Sequence, residues 1–427
     1  MVSRERSPGS ARSLRPVWIG VFVGLCVGGA AARAEDSWDQ FRGPNGSGHA
    51  QATGLPLTWS ETEHIAWKTP VHDFGWSSPV IWDQQVWVTT ATADGKRLFA
   101  VGLDRQSGKI VHDVPVFAVA QPEHIASVNT YASPTPVIEA GRVYVHYGTY
   151  GTACLDTQTG AILWTRRDLN CDHHEGPGAS PILFENLLIF HVDGRDVQYA
   201  VALDKRTGRT VWKTNRSNDY TNLPPNLRKC FATPIVIDVG GRPQLFSPAA
   251  KGVFGYDPRT GEELWKIRHY GWSIAPRPVM GHGLVFFVND YERPEFWAIR
   301  PDGRGDVTAS HVAWKITHSV PAQPSPLLIG DLLYLVNNHG ILSCVEAQTG
   351  QVAWRNRLPG NYSASPIYAD GRLYFVNHDG VASILAPGRE FKTLGTARLD
   401  GTVMATPAVG GRALFVRTKT HLYRIEQ

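Results

Sequence analysis

The stretch Asp156-Thr157-Gln158-Thr159-Gly160-Ala161-Ile162-Leu163-Trp164 recurs along the chain. Asp204 to Trp212 reads DKRTGRTVW, Asp257 to Trp265 reads DPRTGEELW, and Glu346 to Trp354 reads EAQTGQVAW. Each copy is an acid, two free positions, Thr-Gly, three free positions and Trp. Asp and Thr side chains hydrogen-bond the backbone of a tight turn, and Gly supplies the positive φ that such a turn needs. The residues that follow alternate as a strand does, and the Trp ring falls where it can cover a neighbouring unit. Repetition at near-regular spacing restricts the chain to a repeat array.

A second anchor recurs with the first: a small, polar or basic residue, then Pro, then an apolar strand. The instances are Ser78-Pro79, Thr135-Pro136, Ser180-Pro181, Thr233-Pro234, Arg277-Pro278, Ser325-Pro326, Ser365-Pro366 and Thr406-Pro407. Pro suits the first position of a strand, where no ladder N–H is demanded. Successive anchors are 57, 45, 53, 44, 48, 40 and 41 residues apart, near the period of a four-stranded propeller blade. The pattern predicts an all-β, eight-bladed β-propeller of antiparallel blades. Some copies are worn: His112 stands for Trp in the first unit, Asp302 to His311 is inserted in the fifth, and Pro387-Gly388-Arg389 has no Trp after it. The docking tryptophans are therefore expected to be Trp67, Trp164, Trp212, Trp265, Trp314 and Trp354.

The eighth unit ends after three strands, while His64-Ile65-Ala66-Trp67-Lys68 is a fourth strand without its own first three. The economical reading is that this N-terminal strand completes the last blade, which closes the ring and removes two open edges.

The first residues read as a secretory leader. Arginines precede an apolar run from Val17 to Ala32, and Ala32-Arg33-Ala34 is an A-x-A cleavage site. The expected domains are a signal peptide over 1–34, an N-terminal extension over 35–63 and the propeller over 64–427. The extension, with Trp38 to Gly48 rich in turns and aromatics, is expected to pack on the main body as a loop. The leader's Arg4, Arg6, Arg12, Arg15 and Arg33 against Glu5 account for the whole formal charge of +4. The mature chain is then near neutral, which gives no argument for nucleic acid or for an acidic membrane. An exported protein with no integral membrane segment after cleavage, in the periplasm or outside the cell, is the expectation, and a monomer.

The repeated acid-x-x-Thr-Gly-x-x-x-Trp pattern resembles the tryptophan-docking motif of quinoprotein propellers. These are the pyrroloquinoline-quinone (PQQ) dehydrogenases and the wider PQQ-like repeat family, which includes the non-catalytic outer-membrane assembly lipoprotein BamB. The resemblance covers Ser37 to Gln427 and implies the eight-bladed fold. Its catalytic members would imply PQQ with calcium and oxidation of an alcohol or sugar. This chain departs from them: no two Cys are adjacent, and no Glu, Asn and Asp set matches the calcium ligands. The reading is a non-catalytic binding or scaffold module, with quinoprotein oxidoreductase as the alternative.

In such a topology the loops joining the fourth strand to the next first strand, and those joining second to third, share one face. Loops on a rigid scaffold commonly carry function. The first set supplies Trp76, Tyr131, His173, Glu175, Lys229, Trp272, Gln323 and Tyr362. The second supplies Tyr150, Asp193, Lys251, Tyr291, Asn338, His339, His378 and Asp379. Rings with cations and carboxylates fit a funnel for a polar or planar organic ligand, or for a protein partner in the cell envelope. Asp172-His173-His174-Glu175 has the residue types for a divalent ion. Adjacent His residues in an extended loop point apart, however, so a site would need His339 or His378 from other blades. The expectation is no metal, with His173 bonding a neighbouring loop. Cys171 and Cys230 fall in equivalent loops of adjacent blades, which raises the hypothesis of a disulfide between them. Cys154 and Cys344 lie on strands and are expected to be buried thiols. No nucleophile-elbow, P-loop or dinucleotide fingerprint occurs in a strand–helix context.

Overall fold

The computed structural model describes residues 37–427, so the leader and its cleavage site lie outside the described residues. Eight sheets built of antiparallel four-stranded blades succeed one another around a central axis, and all but the last take these four strands in chain order from the innermost outwards. The second blade illustrates the unit: Val137–Glu139, Arg142–His146, Thr152–Asp156 and Ile162–Arg166. We call these positions A to D. The N-terminal strand Ile65–Pro70 pairs with His421–Ile425, outside Ala413–Arg417 and Ala408–Gly410, and so supplies strand D of the last blade.

Turn chemistry explains why these residues fold this way. Asp156 Oδ1 accepts from the Thr159 N–H (2.8 Å) and the Thr159 hydroxyl (2.9 Å), and Asp204 does the same for Thr207. The Gly has two duties. At Gly208 φ is +71°, and a Cβ there would sit 2.7 Å from the Trp164 ring. At Gly350 φ is +76°, and a Cβ would sit 2.7 Å from Trp314. The Thr-Gly turn is thus the surface on which the preceding blade lays its indole. The indoles also donate across the joint: Trp67 to Arg105 O (3.0 Å), Trp164 to Lys205 O (3.1 Å), Trp212 to Pro258 O (3.0 Å), Trp314 to Ala347 O (3.1 Å) and Trp354 to Gly388 O (3.1 Å). His112 keeps the same bond, with Nε2 2.9 Å from Thr157 O.

Trp265 departs from the expectation. It is fully buried, but its indole donates to Gln244 Oε1 of its own blade at 2.7 Å. The cause is the insertion in the fifth unit. Gly305–Asp306 returns along the outer edge of the fourth blade and pairs in parallel with Trp265 and Lys266, making a five-stranded sheet.

The core lies between blades. Strand Leu187–Asp193 is buried along its whole length because both faces are covered by neighbouring blades. Trp87, Leu98 and Ala100 of the first blade pack with Ile138, Val143 and Val145 of the second. Burial of each large side chain contributes roughly 1.5–3 kcal/mol.

The N-terminal extension does more than pack as a surface loop. Trp38 pairs with Ile81, the Ile138 N–H donates to Asp39 O (2.8 Å), and Gly48 O accepts from Tyr368 N (2.8 Å). His49 Nε2 meets Leu328 O at 2.7 Å. These partners are on the A strands of blades one, two, seven and six, so residues 38–49 occupy the axial shaft. Arg277, which stands where other blades carry Ser or Thr, donates to Phe41 O and, at 2.8 Å, to Gln40 Oε1. From there the segment crosses the seventh blade, where Leu55 bonds Asp370 and Arg372 at the A–B turn. The extension therefore closes the shaft on the face of the A–B turns.

Candidate functional site

The opposite end of the shaft is open. A pocket of about 350 Å³ sits there, and every D-to-A loop reaches it. The eight contributing residues are Trp76, Ser133, Gly178, Phe231, Ala275, Gln323, Ser363 and Met404, each three positions before its anchor Pro. Equivalent loops place equivalent residues around the axis. Trp76 and Met404 form one wall. Phe231 and Ala275, with Trp272, form the wall four blades away. Between them Gln323 Oε1 accepts from Asn338 Nδ2 (2.8 Å) and from the Ser363 hydroxyl (2.7 Å), whose oxygen lies 2.8 Å from His378 Nε2. Glu175 and Asn129 lie on the other polar side, and Tyr291 and Glu292 at the rim.

Below this pocket the residues just before the prolines form a second ring. The Ser78 N–H donates to Thr135 Oγ1 (3.0 Å), Thr135 to Ser180 Oγ (2.9 Å) and Ser180 to Thr233 Oγ1 (3.0 Å). Arg277 donates to Ser325 Oγ (2.9 Å), Ser325 to Ser365 (3.0 Å), Ser365 to Thr406 (2.9 Å), and Thr406 to Ser78 (3.1 Å). The circle is interrupted only between Thr233 and Arg277. Six of these hydroxyl residues line a cavity of about 140 Å³ that has Phe41 of the N-terminal extension at its floor.

Of the residues picked out from sequence, Trp76, Glu175 and Trp272 line the upper pocket, as do Tyr291 and Gln323. The Trp76 indole donates to Val128 O at 3.2 Å. Asn338 and His378 support the lining through Gln323 and Ser363, while His339 and Asp379 stay exposed on their loops. The others are not brought into the pocket. Tyr131 and Tyr150 pack edge to face at 5.7 Å, and both hydroxyls are bonded to Glu123 backbone. Tyr362 is fully buried. Lys251 donates to Tyr270 O. Lys229 is buried behind the wall, ion-paired to Glu175, with its ammonium 5.8 Å from the Trp272 ring centre. For the tyrosines and Lys229 the reason is common: a long or aromatic side chain at a loop base turns inward, where it finds partners, whereas Lys251 bonds a loop carbonyl of its own blade at the surface.

His173 bonds a neighbouring loop as expected. Its Nε2 accepts from the Thr149 N–H at 2.9 Å, and burial pulls its pKa down to about 4, so the ring is neutral. Among the described residues no three His, Cys, Asp or Glu side chains converge as metal ligands. The disulfide hypothesis is corrected: Cys171 and Cys230 are both free, buried thiols. Cys171 Sγ turns toward the His173 ring (3.6 Å), and Cys230 Sγ donates to Pro248 O (3.4 Å) of its own blade. Burial pushes the Cys230 thiol up to about 12, away from thiolate reactivity. Cys154 and Cys344 are buried thiols, as expected.

One buried cluster has the residue types of a hydrolytic triad. Ser247 Oγ lies 3.3 Å from His191 Nε2, and His191 Nδ1 3.5 Å from Asp193. Its geometry is structural. Arg216 grips Asp193 through two bonds (2.8 and 3.1 Å) and donates to Ser247 Oγ at 2.6 Å. All four side chains are sealed between the third and fourth blades. An Arg proton on the hydroxyl oxygen opposes nucleophilicity, and all four residues are buried.

The upper pocket does not fit PQQ. That cofactor is a planar quinone with three carboxylates, so its site needs cations. The lining contains Glu175 and Glu292 and no Arg or Lys, and Lys229 is committed to Glu175.

Comparison with known proteins agrees with this architecture. The fold and its repeats define a β-propeller of the PQQ-like type. The family described as outer membrane protein assembly factor BamB matches residues 101–356 and 304–388, more than half of the chain, and the chain belongs to that family. Curated relatives include BamB of Burkholderia pseudomallei, 33% identical over 95 residues (22% of this chain, 24% of that one). BamB of Legionella pneumophila is 23% identical over 217 residues (49% and 50%). The chain thus spans a quarter to a half of the length of these relatives. Among solved structures, BamB from Moraxella catarrhalis superposes with a TM-score of 0.54 at 14% identity, covering 79% of this chain and 96% of that one. A europium-containing methanol dehydrogenase gives 0.68 at 10% identity, covering 91% and 90%. At these identities the structural likeness speaks for the fold alone.

Proposed function

We propose that this protein is an exported, non-catalytic scaffold of the bacterial cell envelope that receives an apolar segment of a protein partner in its open axial pocket. The carrying observation is the pocket itself. Eight loops converge on facing walls of Trp76 with Met404 and of Phe231 with Trp272, and the polar groups between them are bonded to one another rather than poised for proton transfer. Half-buried rings at a loop-lined mouth favour a partner over water. Val128 and Tyr291, both exposed, extend the apolar surface outwards. Membership of a family described as an outer membrane assembly factor supports a role beside other envelope proteins, with the periplasm as the compartment.

The test is site-specific photocrosslinking in cells. A crosslinker at Met404 or Tyr291 is expected to capture a defined envelope protein, and one at Val111, on an outer strand, is not. Crosslinks confined to Val111 would overturn the reading. So would alcohol-dependent dye reduction by the protein incubated with PQQ and calcium.

A further inference from the structure

The lower ring is a circle of acceptors on its outer side and of unused donors on its inner side. Each ring hydroxyl oxygen receives a backbone N–H from the blade before it. A hydroxyl has one proton to donate. Among the described residues none of these hydroxyls gives that proton to another protein group, although the residues are buried. Six of them surround the 140 Å³ cavity above Phe41. The enclosed space is therefore rich in O–H donors, and the cavity shares its upper lining with the open pocket, which provides a way in.

The charge beneath has the matching sign. Arg277 belongs to the ring by position, and its side chain is fully buried against the extension at Phe41 and Gln40. Arg42, the next residue after the cavity floor, is also fully buried. Its one bond is from Nη2 to Ser47 O at 3.3 Å, while Nε and Nη1 have no partner. A Cβ at Gly46 would collide with Arg277 and one at Gly48 would lie 2.7 Å from Arg42, so both guanidiniums lie against the same short turn. Asp39 is the carboxylate that acts on this pair, through Arg277, and the bonds both guanidiniums make among the described residues go to neutral oxygens of Ser47, Phe41 and Gln40. Two buried cations against one carboxylate leave an uncompensated positive charge, which is costly in a low-dielectric interior. Water would satisfy the hydrogen bonds without cancelling that charge.

We propose that the shaft cavity within the hydroxyl ring binds a small inorganic anion of halide size, held by the ring hydroxyl protons in the positive field of Arg42 and Arg277. The anion then couples the N-terminal extension to the ring, because one of the two arginines comes from each. Two measurements decide it. Crystals soaked in bromide are expected to give an anomalous peak inside the ring. Exchange of gluconate for chloride at fixed ionic strength is expected to raise Tm by about 2 °C, as a ligand specific to the folded state does. Thr406→Val, which removes a ring hydroxyl at nearly constant shape, and Arg277→Ser are each expected to reduce that gain. No anomalous peak, together with equal Tm in the two salts, would overturn the proposal without recourse to any variant. A bromide peak that lies on the surface and not in the ring would overturn it equally.

Discussion

The two ends of the axial shaft are built from the same eight repeats and come out opposite. At one end the extension pairs with the A strands of four blades and is gripped by Arg277. At the other, the D-to-A loops stop short of one another around an open apolar pocket. The difference teaches that symmetry in the repeat does not fix what the axis does. A single non-repeating segment, plus one substitution in the repeat at Arg277, makes one end structural. Varied residues at one repeated position leave the other end an open pocket, the end proposed here to receive a partner.

The largest test of that contrast is removal of the closing strand. Deleting residues 64–70 opens the edge of His421–Ile425 and removes the Trp67 joint, so loss of cooperative unfolding is expected by calorimetry. Next is Gly208→Val, which forces a β-branched residue to φ +71° and drives Cβ into Trp164. A loss of about 3 kcal/mol in urea unfolding is expected. The same change at Gly141, where φ is +77° but no atom lies within 4 Å, should lose only the backbone part. If both lose equally, the joint is not what the Gly protects.

At the two ends of the shaft, Trp76→Ala with Phe231→Ala should leave the fold near wild type, at roughly 1 kcal/mol per site, and abolish crosslinking from Met404. Arg277→Ser should instead expose residues 38–49 to limited proteolysis while crosslinking persists. The converse pattern would reverse the roles assigned to the two ends.

The smallest effect is in pH. Burial holds His146 at about 3, His173 at about 4 and His269 at about 3, all below the ordinary value. The unfolded chain then takes up protons from about pH 6.5 downward that the folded chain refuses, so stability falls as pH drops from about 6.5 towards 4. These rings sit near the loops of the open face, so hydrogen exchange there should quicken at pH 5 before it does in residues 38–49. His72, bridging Asp73 and Asp113, works in the other direction. Its pKa is raised, so its small surface contribution is present below about 6.5 and lost as pH rises through its folded value.

The sequence was most legible where the physics is local. An acid, a Thr and a Gly within five residues dictate a turn, and a Pro marks each A strand, so blade number, strand order and closure are all legible in the sequence. Part of the pocket lining is legible too, since loop type puts Trp76, Glu175 and Trp272 on the open face, where they line the pocket. Phe231, Ser363 and Met404 were missed, although a signal existed: each lies three residues before its anchor Pro. Residue type alone points Tyr131, Tyr362 and Lys229 into the funnel, but their neighbours turn them inward, where they are buried.

By itself the sequence determined the repeat, because each turn is set by atoms a few residues apart. Only the tertiary structure decided the axis. Arg277 meets Phe41 across 236 residues, and Thr406 meets Ser78 across 328, and no local preference encodes which distant groups closure will bring face to face.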